Sequence, residues 1–210
     1  AAVYGCGGIE RLVSKIALRK IARREVGQLA RGLEQTAIVK ALLQHSPNQW
    51  LGKLSNQLDA CEAMQTRIHK EIQENPAVLI NKGGVIAAGV NEELDQLRNI
   101  ANGGKEFLVN IQEREAERTG IGSLKISFNN VFGYYLEVTN SHKNKVPADW
   151  IRRQTLTNAE RYITPELKEY EEKILGAEDK ILSLEVKLFE ALVIELLDYI
   201  QPIQLNANLI

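Results

Sequence analysis

The sequence predicts a mainly α protein with a small antiparallel β subdomain, in which a helical bundle carries a sheet at the tip of a long antiparallel helix arm. Three observations predict this fold. Residues 91–118 repeat apolar side chains at steps of three and four, and residues 164–200 hold a heptad rhythm. Between them, residues 124–139 alternate apolar and polar side chains. One long helix therefore leads into a short sheet and another leads out of it.

The first part of the chain is predicted to form three helices. Residues 9–24 place apolar side chains on one face and basic side chains on the opposite face, and residues 25–44 continue at helical spacing. Ser46-Pro47 is a good N-cap followed by a first-turn proline, which predicts a third helix through about Glu74. Asn75-Pro76 is expected to end it.

The next segment predicts a loop and then a long helix. Residues 81–90 are too short and too rich in glycine for a helix, so we expect a loop with a brief extended piece. The following helix ends in the almost wholly charged run QEREAERT, as a helix that leaves the packed body would, and Gly120 is a plausible terminator. Its apolar positions are Leu94, Leu97, Ala101, Gly104, Leu108 and Ile111.

Short strands are predicted next. LKISF and VFGYYLEVT alternate with a period of two, and NNVFG between them supplies turn residues, so we expect a hairpin. Residues 152–163 could add one or two further strands. Thr164-Pro165-Glu166 then caps and opens the returning helix.

The returning helix carries two apolar stripes. A helix that is apolar on two faces packs against more than one neighbour, which favours a bundle over a free coiled coil. The first stripe is Leu167, Tyr170, Ile174, Ala177, Ile181, Leu184, Leu188 and Ala191. The second stripe is Leu175, Leu182, Phe189 and Leu196.

The net charge of −1 hides an uneven distribution. Residues 121–168 carry seven Lys and Arg against four Asp and Glu, whereas residues 61–120 carry seven against ten and residues 169–210 carry three against nine. A basic island between acidic flanks suggests an anionic partner. The alternative is the ordinary fluctuation of charge along a solvated surface.

Catalytic motifs are absent from the sequence. The three histidines have no metal-ligand spacing, Cys6 and Cys61 fit no metal or redox motif, and there is no Walker A, GxSxG or strand-borne GxGxxG pattern. We therefore expect no enzyme activity, no catalytic residue, no cofactor and no metal in this chain. No signal peptide or membrane-spanning run appears. The chain lacks an initiator Met and opens almost directly in a helical pattern, so we expect a fragment of a longer protein.

A binding surface is predicted instead. Cations interleaved with hydroxyl and amide side chains are the groups that contact DNA phosphates without reading bases. The alternative is that these cations pair locally, Arg152 with Asp149 and Arg161 with Glu160. The candidate residues for binding a DNA backbone are Lys143, Lys145, Arg152, Arg153, Asn158, Arg161, Ser141 and Asn130.

Three blocks of the sequence resemble the middle of the MutS family of DNA mismatch repair proteins. They are GGVIAAGVNEELDQLR, ERTGIGSLKISFNNVFGYYLEVT and IRRQTLTNAERYITPELKEYEEKIL, and the similarity runs from about Ile9 to the C-terminus. The resemblance implies a helical core or lever domain over residues 1–116 and 171–210. It also implies a β-rich DNA clamp domain inserted over residues 117–170.

The resemblance also implies a function. In the family, two clamps of a dimer close around duplex DNA and contact its backbone without sequence preference. The implied partners are double-stranded DNA, a second copy of the parent protein and its other domains, with no membrane, in the bacterial cytosol. The parent protein is expected to bind mismatched DNA and ATP, through domains that this chain lacks.

Two alternatives stay open at this point. A helical scaffold whose arm binds another protein would also explain the two-stripe helix. A paralogue within the family, serving recombination or another pathway, would share the clamp and the lever.

Overall fold

The computed structural model describes residues 2–74, 76 and 83–210. It confirms a mainly helical protein with a small four-stranded antiparallel sheet. The chain divides into two compact units, one made of residues 1–92 and 182–210 and the other of residues 93–181. The predicted domain boundaries at 116/117 and 170/171 differ from this division and stay a prediction.

The helical unit contains the first five helices and the C-terminal part of the chain. Its helices are α1 (Ala2–Gly5), α2 (Ile9–Ala17), α3 (Arg23–Gln44), α4 (Gln49–Gln57) and α5 (Glu62–Glu71), with α8 (Ile200–Leu209) after a single 3-10 turn, Leu197–Tyr199. The predicted first helix ends at Ala17 and not at Arg24, because Arg19 has a φ of 53° and reverses the chain. The N–H of Arg19 donates to the carbonyl of Ile16 at 2.8 Å, which closes the last turn.

The predicted third helix is two helices, α4 and α5. The cap of α4 is Asn48, whose Oδ1 accepts from the N–H of Trp50 at 2.9 Å, and not Ser46. The break between α4 and α5 is held by Asn206 of α8. Its Oδ1 accepts from the N–H of Asp59 at 2.9 Å and its Nδ2 donates to the carbonyl of Asp59 at 2.5 Å. The interruption therefore depends on a residue 147 positions away in sequence.

The end of α5 leads into a short extended pairing. Helix α5 ends at Glu71, whereas the predicted terminator includes Asn75, which lies outside the described residues. Ile72 forms an antiparallel bridge with Ile86, which confirms the brief extended piece within 83–90. Glu185 secures this piece, because its Oε1 accepts from the N–H groups of Val85 and Ile86 at 3.0 and 3.2 Å.

The second unit starts with α6 (Glu92–Thr119), whose buried side matches the predicted spacing closely. Its charged end does not leave the packed body, however. Glu115 is 6% exposed and binds Arg118 Nη2 at 2.7 Å, while Ile111 one turn earlier is also buried. Gly120 ends the helix with a φ of 65°, a conformation that glycine adopts without strain.

The sheet has the order β1-β2-β4-β3, and all neighbouring strands are antiparallel. Its strands are β1 (Lys125–Asn129), β2 (Gly133–Thr139), β3 (Ile151–Thr155) and β4 (Ala159–Ile163), and the 3-10 helix Asn140–Lys145 follows β2. The predicted hairpin is β1–β2. Glu171 fixes its turn, because its Oε2 accepts from the N–H of Tyr134 at 2.6 Å.

One face of the sheet packs against helices of the same unit, and the other face is polar. Leu136 and Val138 of β2 face a core formed with the first turns of α7 (Pro165–Leu196) and the end of α6. The buried members of this core are Leu108, Ile111, Ile121, Leu124, Leu136, Val138, Trp150, Tyr162, Leu167 and Ile174. Burial on this scale fixes the register of the strands, because a shift by one residue would expose these side chains.

Each of the two apolar stripes of α7 is buried only in part. In the first stripe Leu167, Ile174 and Ala177 are buried and belong to the sheet unit. In the second stripe Leu196 is buried, while Leu182 and Phe189 are half-buried. Residues 165–181 of α7 belong to the sheet unit and residues 182–196 to the helical unit.

Candidate nucleic-acid interface

Six of the eight predicted residues lie along the β3 edge of the sheet, in the adjoining β3–β4 turn or in the 3-10 helix 140–145. Two hydrogen bonds join the turn to the 3-10 helix. The N–H of Asn140 donates to the carbonyl of Asn158 at 3.0 Å, and its side-chain Nδ2 donates to the carbonyl of Thr157 at 2.8 Å. Ser141 and Asn158 are therefore neighbours at one end of the sheet, and both are exposed. We call Ser141, Lys143, Lys145, Arg152, Arg153 and Asn158 the basic surface.

Glu160 organises two cations of the basic surface. Arg152 Nη1 lies 3.4 Å from Glu160 Oε1, and the side chain of Arg152 remains 61% exposed. The Tyr162 hydroxyl donates to the other oxygen of Glu160. This hydrogen bond, with the charges of Arg152 and Lys143, lowers the pKa of Glu160 below its usual value. Lys143 and Arg152 thus both act electrostatically on one anchored carboxylate.

Arg153 occupies an irregular position in the edge strand. The register of β3 against β4 shifts between Arg152 and Gln154, so Arg153 is the extra residue of a bulge. Its side chain is exposed, and it makes no side-chain hydrogen bond or ion pair to the described part of the chain. Lys143 is exposed and equally without such a bond among the described residues. These two cations are available to an external anion.

Lys145 and Ser141 are exposed but have weak local partners. Lys145 Nζ donates to the carbonyl of Gly120 at 3.2 Å, which holds the 3-10 helix beside the end of α6. Ser141 Oγ lies 3.1 Å from Thr139 Oγ1. Both bonds join exposed groups, where an external anion could replace them at small cost.

Arg161 is built into the polar face of the sheet. Its Nε donates to Glu137 Oε2 at 2.9 Å, its Nη1 donates to Gln154 Oε1 at 2.9 Å, and its Cζ lies 4.4 Å from the centroid of the Tyr135 ring. The side chain is only 19% exposed. Arg161 therefore braces three strands and is not part of the basic surface.

The local pairs considered in the sequence are not the ones that form. Arg152 pairs with Glu160, whereas Asp149 lies 3.4 Å from Arg118 Nη2. Arg161 pairs with Glu137 across β2 and β4. The strand register explains the second pair, because Glu137 and Arg161 stand opposite each other in the ladder.

Asn130 lies away from the other predicted residues. It is in the β1–β2 turn, at the start of β2, whereas the basic surface begins where β2 ends. The six steps from Gly133 to Thr139 separate them by roughly 20 Å along the strand. Lys125, which the sequence analysis did not single out, is exposed near the end of β2 that leads into the basic surface, opposite Glu137. The period of two in LKISF separates Lys125 from the apolar side chains, and this pattern could have placed it on the polar face.

In the described residues, no group of three or more His, Cys, Asp or Glu side chains could hold a metal ion. Within the same residues no helix has the length and hydropathy to cross a membrane.

Comparison with known proteins gives one consistent family. The profile described as MutS family domain IV matches residues 89–180, which include the whole sheet. The DNA mismatch repair protein MutS of Parabacteroides distasonis is 59% identical over 204 residues, which is 97% of this chain and 23% of that protein. The MutS proteins of Bacteroides fragilis and Flavobacterium johnsoniae are 56% and 54% identical, over 98% and 96% of this chain and 24% and 23% of their own lengths. The chain thus spans about a quarter of the relatives it matches.

Proposed function

Because the chain belongs to the MutS family of DNA mismatch repair proteins, we propose that its basic surface binds the phosphate backbone of duplex DNA without reading the base sequence. The observation that carries the proposal is that Lys143, Arg152 and Arg153 are exposed, and that Lys143 and Arg153 make no side-chain hydrogen bond or ion pair with the described residues. Backbone contacts require charge at the surface and short neutral donors near it. The hydroxyl of Ser141 and the amide of Asn158 supply the neutral donors.

The geometry favours backbone contacts over base readout. The cations of the basic surface come from a 3-10 helix and from an edge strand that is paired into the sheet, and not from an α-helix that could enter a major groove. Residues 140–163 carry five Lys and Arg against two Asp and Glu. A surface of this kind attracts any duplex, and its affinity decreases as salt replaces the released counterions.

Arg161 has a supporting role in this proposal. By bracing β2, β3 and β4 it fixes the strand that carries Arg152 and Arg153. Asn130 would contact DNA only as a separate point of contact at the other end of the hairpin.

The second part of the proposal concerns mechanical linkage. Helix α7 has 32 residues, so it is about 48 Å long, and it contributes residues to both compact units. We propose that this helix carries displacement between the DNA-binding sheet and the rest of the parent protein. A second copy of the parent protein would then close the clamp, and the binding of ATP and of mismatches is assigned to regions outside residues 1–210.

Fluorescence anisotropy of a labelled duplex of about 30 base pairs tests DNA binding. If Lys143, Arg152 and Arg153 each neutralise one phosphate, the slope of log affinity against log salt should be about −2.7, and affinity should fall about 40-fold between roughly 50 and 200 mM salt. Two duplexes of unrelated sequence should bind equally well. A flat salt dependence would contradict the proposal.

The informative variant is Lys143→Gln/Arg153→Gln, because neither side chain makes a hydrogen bond or an ion pair with the described residues. It should reduce the slope to about −0.9. The matched control is Lys180→Gln/Lys187→Gln, which removes two exposed cations from α7, outside the basic surface. Equal loss of affinity in both variants would show that only net charge matters and that the basic surface is not the site.

The linkage is tested in the parent protein with Asp179→Pro, which interrupts α7. DNA binding by the sheet should persist, while any change in DNA affinity on adding ATP should disappear. An unchanged response to ATP would exclude α7 as the route.

A further inference from the structure

A cavity of about 480 Å³ lies in the helical unit, between the α2–α3 connection and α7. Its wall combines apolar side chains with cations. The lining residues are Arg19, Lys20, Ile21, Arg23, Val186, Phe189, Glu190, Val193 and Ile194. This cavity is separate from the basic surface, since all its residues belong to the other compact unit.

Arg23 is the unusual member of this wall. It is only 5% exposed, and its Nε and Nη1 are buried without a hydrogen-bond partner among the described residues. Its Cζ lies 5.6 Å from the centroid of the Phe189 ring, so one side of the guanidinium is covered by an aromatic ring. Burial lowers the pKa of Arg23, and the charge of Glu185 partly opposes this effect. Buried N–H groups of a charged side chain are costly to leave unpaired, so an acceptor supplied from outside would stabilise this site.

The acceptor that fits is a carboxylate. A guanidinium presents parallel N–H donors that match a carboxylate or a phosphate. The five apolar side chains of the wall discriminate between these two, because a phosphate backbone would leave them without an apolar partner. A carboxylate side chain flanked by apolar residues would satisfy Arg23 and also bury the wall.

The charge around the cavity supports the same occupant. Arg19 and Lys20 are exposed at the cavity and add positive charge, while Glu190 is the one acidic residue of its described lining. Ile194 is 51% exposed, so part of the apolar wall is uncovered in this chain. An acidic, partly apolar peptide therefore matches the site in both charge and hydrophobicity.

We propose that this cavity receives a segment of the parent protein from outside residues 1–210, carrying an Asp or Glu between apolar residues. The relatives are about four times as long as this chain, so the same polypeptide is the source of such a segment. The carboxylate would pair with Arg23 Nε and Nη1, and its apolar neighbours would cover Phe189 and Ile194.

Photo-crosslinking in the full-length parent protein tests the proposal. Ile194 is replaced by p-benzoyl-phenylalanine, the protein is irradiated, and the crosslinked peptides are identified by mass spectrometry. The expected crosslink joins position 194 to a segment outside residues 1–210 of the same protein, with an Asp or Glu beside apolar residues. Arg23→Gln should reduce the yield at least tenfold, whereas Arg31→Gln, an exposed cation of the same helix, should leave it unchanged.

A second variant keeps the test valid if Arg23→Gln fails to fold. Arg19→Gln/Lys20→Gln removes exposed charge only, so it should fold normally and reduce the yield several-fold. A crosslink to DNA, to a different protein or only within residues 1–210 would overturn the proposal. Absence of any crosslink, or a yield that does not depend on Arg23 and on the Arg19/Lys20 pair, would overturn it as well.

Discussion

The two adjacent glycines of α6, Gly103 and Gly104, offer a direct test of how this helix packs. A β-carbon added to Gly104 would lie 2.5 Å from Ile174 Cγ1, whereas one added to Gly103 would have no neighbour within 4 Å among the described residues. Alanine improves intrinsic helix stability at either position by about 1 kcal/mol. We therefore expect Gly103→Ala to raise the free energy of unfolding and Gly104→Ala to lower it.

The expected difference follows from the distance. A separation of 2.5 Å is below any normal carbon–carbon contact, so Ile174 or the α6 backbone must move. Forcing an extra methyl group into a packed core costs about 1–3 kcal/mol. Since both substitutions gain the same helix propensity, this cost is the expected difference between them. Ile174→Ala should be better tolerated in the Gly104→Ala variant than in the unchanged chain, because it removes the Cγ1 atom that the added methyl group would meet.

Urea unfolding followed by tryptophan fluorescence measures the effect. Trp150 is buried in the same core as Ile174, while Trp50 is 66% exposed in the other compact unit, so a Trp50→Phe background isolates the relevant signal. Equal stabilisation by the two alanines would refute the packing of α6 on α7 at this position.

Three further outcomes are expected. Burial raises the pKa of the Cys61 thiol to about 12, so iodoacetamide at about pH 8 should alkylate it in the denatured chain and spare it in the native one, as read by mass spectrometry. The hydrogen bond from Lys15 is the main reason why the pKa of Glu25 falls from 4.5 to about 2, so its stabilisation is present above pH 4.5 and is lost as pH falls towards 2. Glu25→Gln should therefore lower the free energy of unfolding at about pH 7 but not at about pH 2, and an equal loss at both would contradict this. Asn206→Ala should cost about 2–4 kcal/mol in urea unfolding, because it leaves the backbone N–H and carbonyl of Asp59 unpaired; no loss would mean that α8 does not hold the α4–α5 break.

The spacing of apolar residues predicted the helices and strands whose form depends only on residues close in sequence. The steps of three and four in α6 identified the side that buries Leu94, Leu108 and Ile111, and the period of two identified β1 and β2. These features depend on side-chain direction within a single helix or strand, which the sequence specifies directly.

The remaining differences come from contacts that are distant in sequence. Nothing near Leu58 predicts that the third helix breaks there, because Asn206 supplies the hydrogen bonds that hold the break. The same holds in the basic surface. Arg161 resembles the other cations in sequence, and only the strand register reveals that Glu137 engages it. Only the structure therefore shows whether a cation is free or is held by other side chains of the sheet.

The order β1-β2-β4-β3 leaves β3 as an open edge, with unpaired backbone groups on one side among the described residues. Open edges are where separate sheets join and aggregate, and proteins protect them with charged side chains and bulges. β3 has both, in Arg152, Arg153 and the register shift between Arg152 and Gln154. We therefore expect these arginines to keep the strand from pairing with a second molecule, and replacing Arg153 with valine should make the chain prone to self-association.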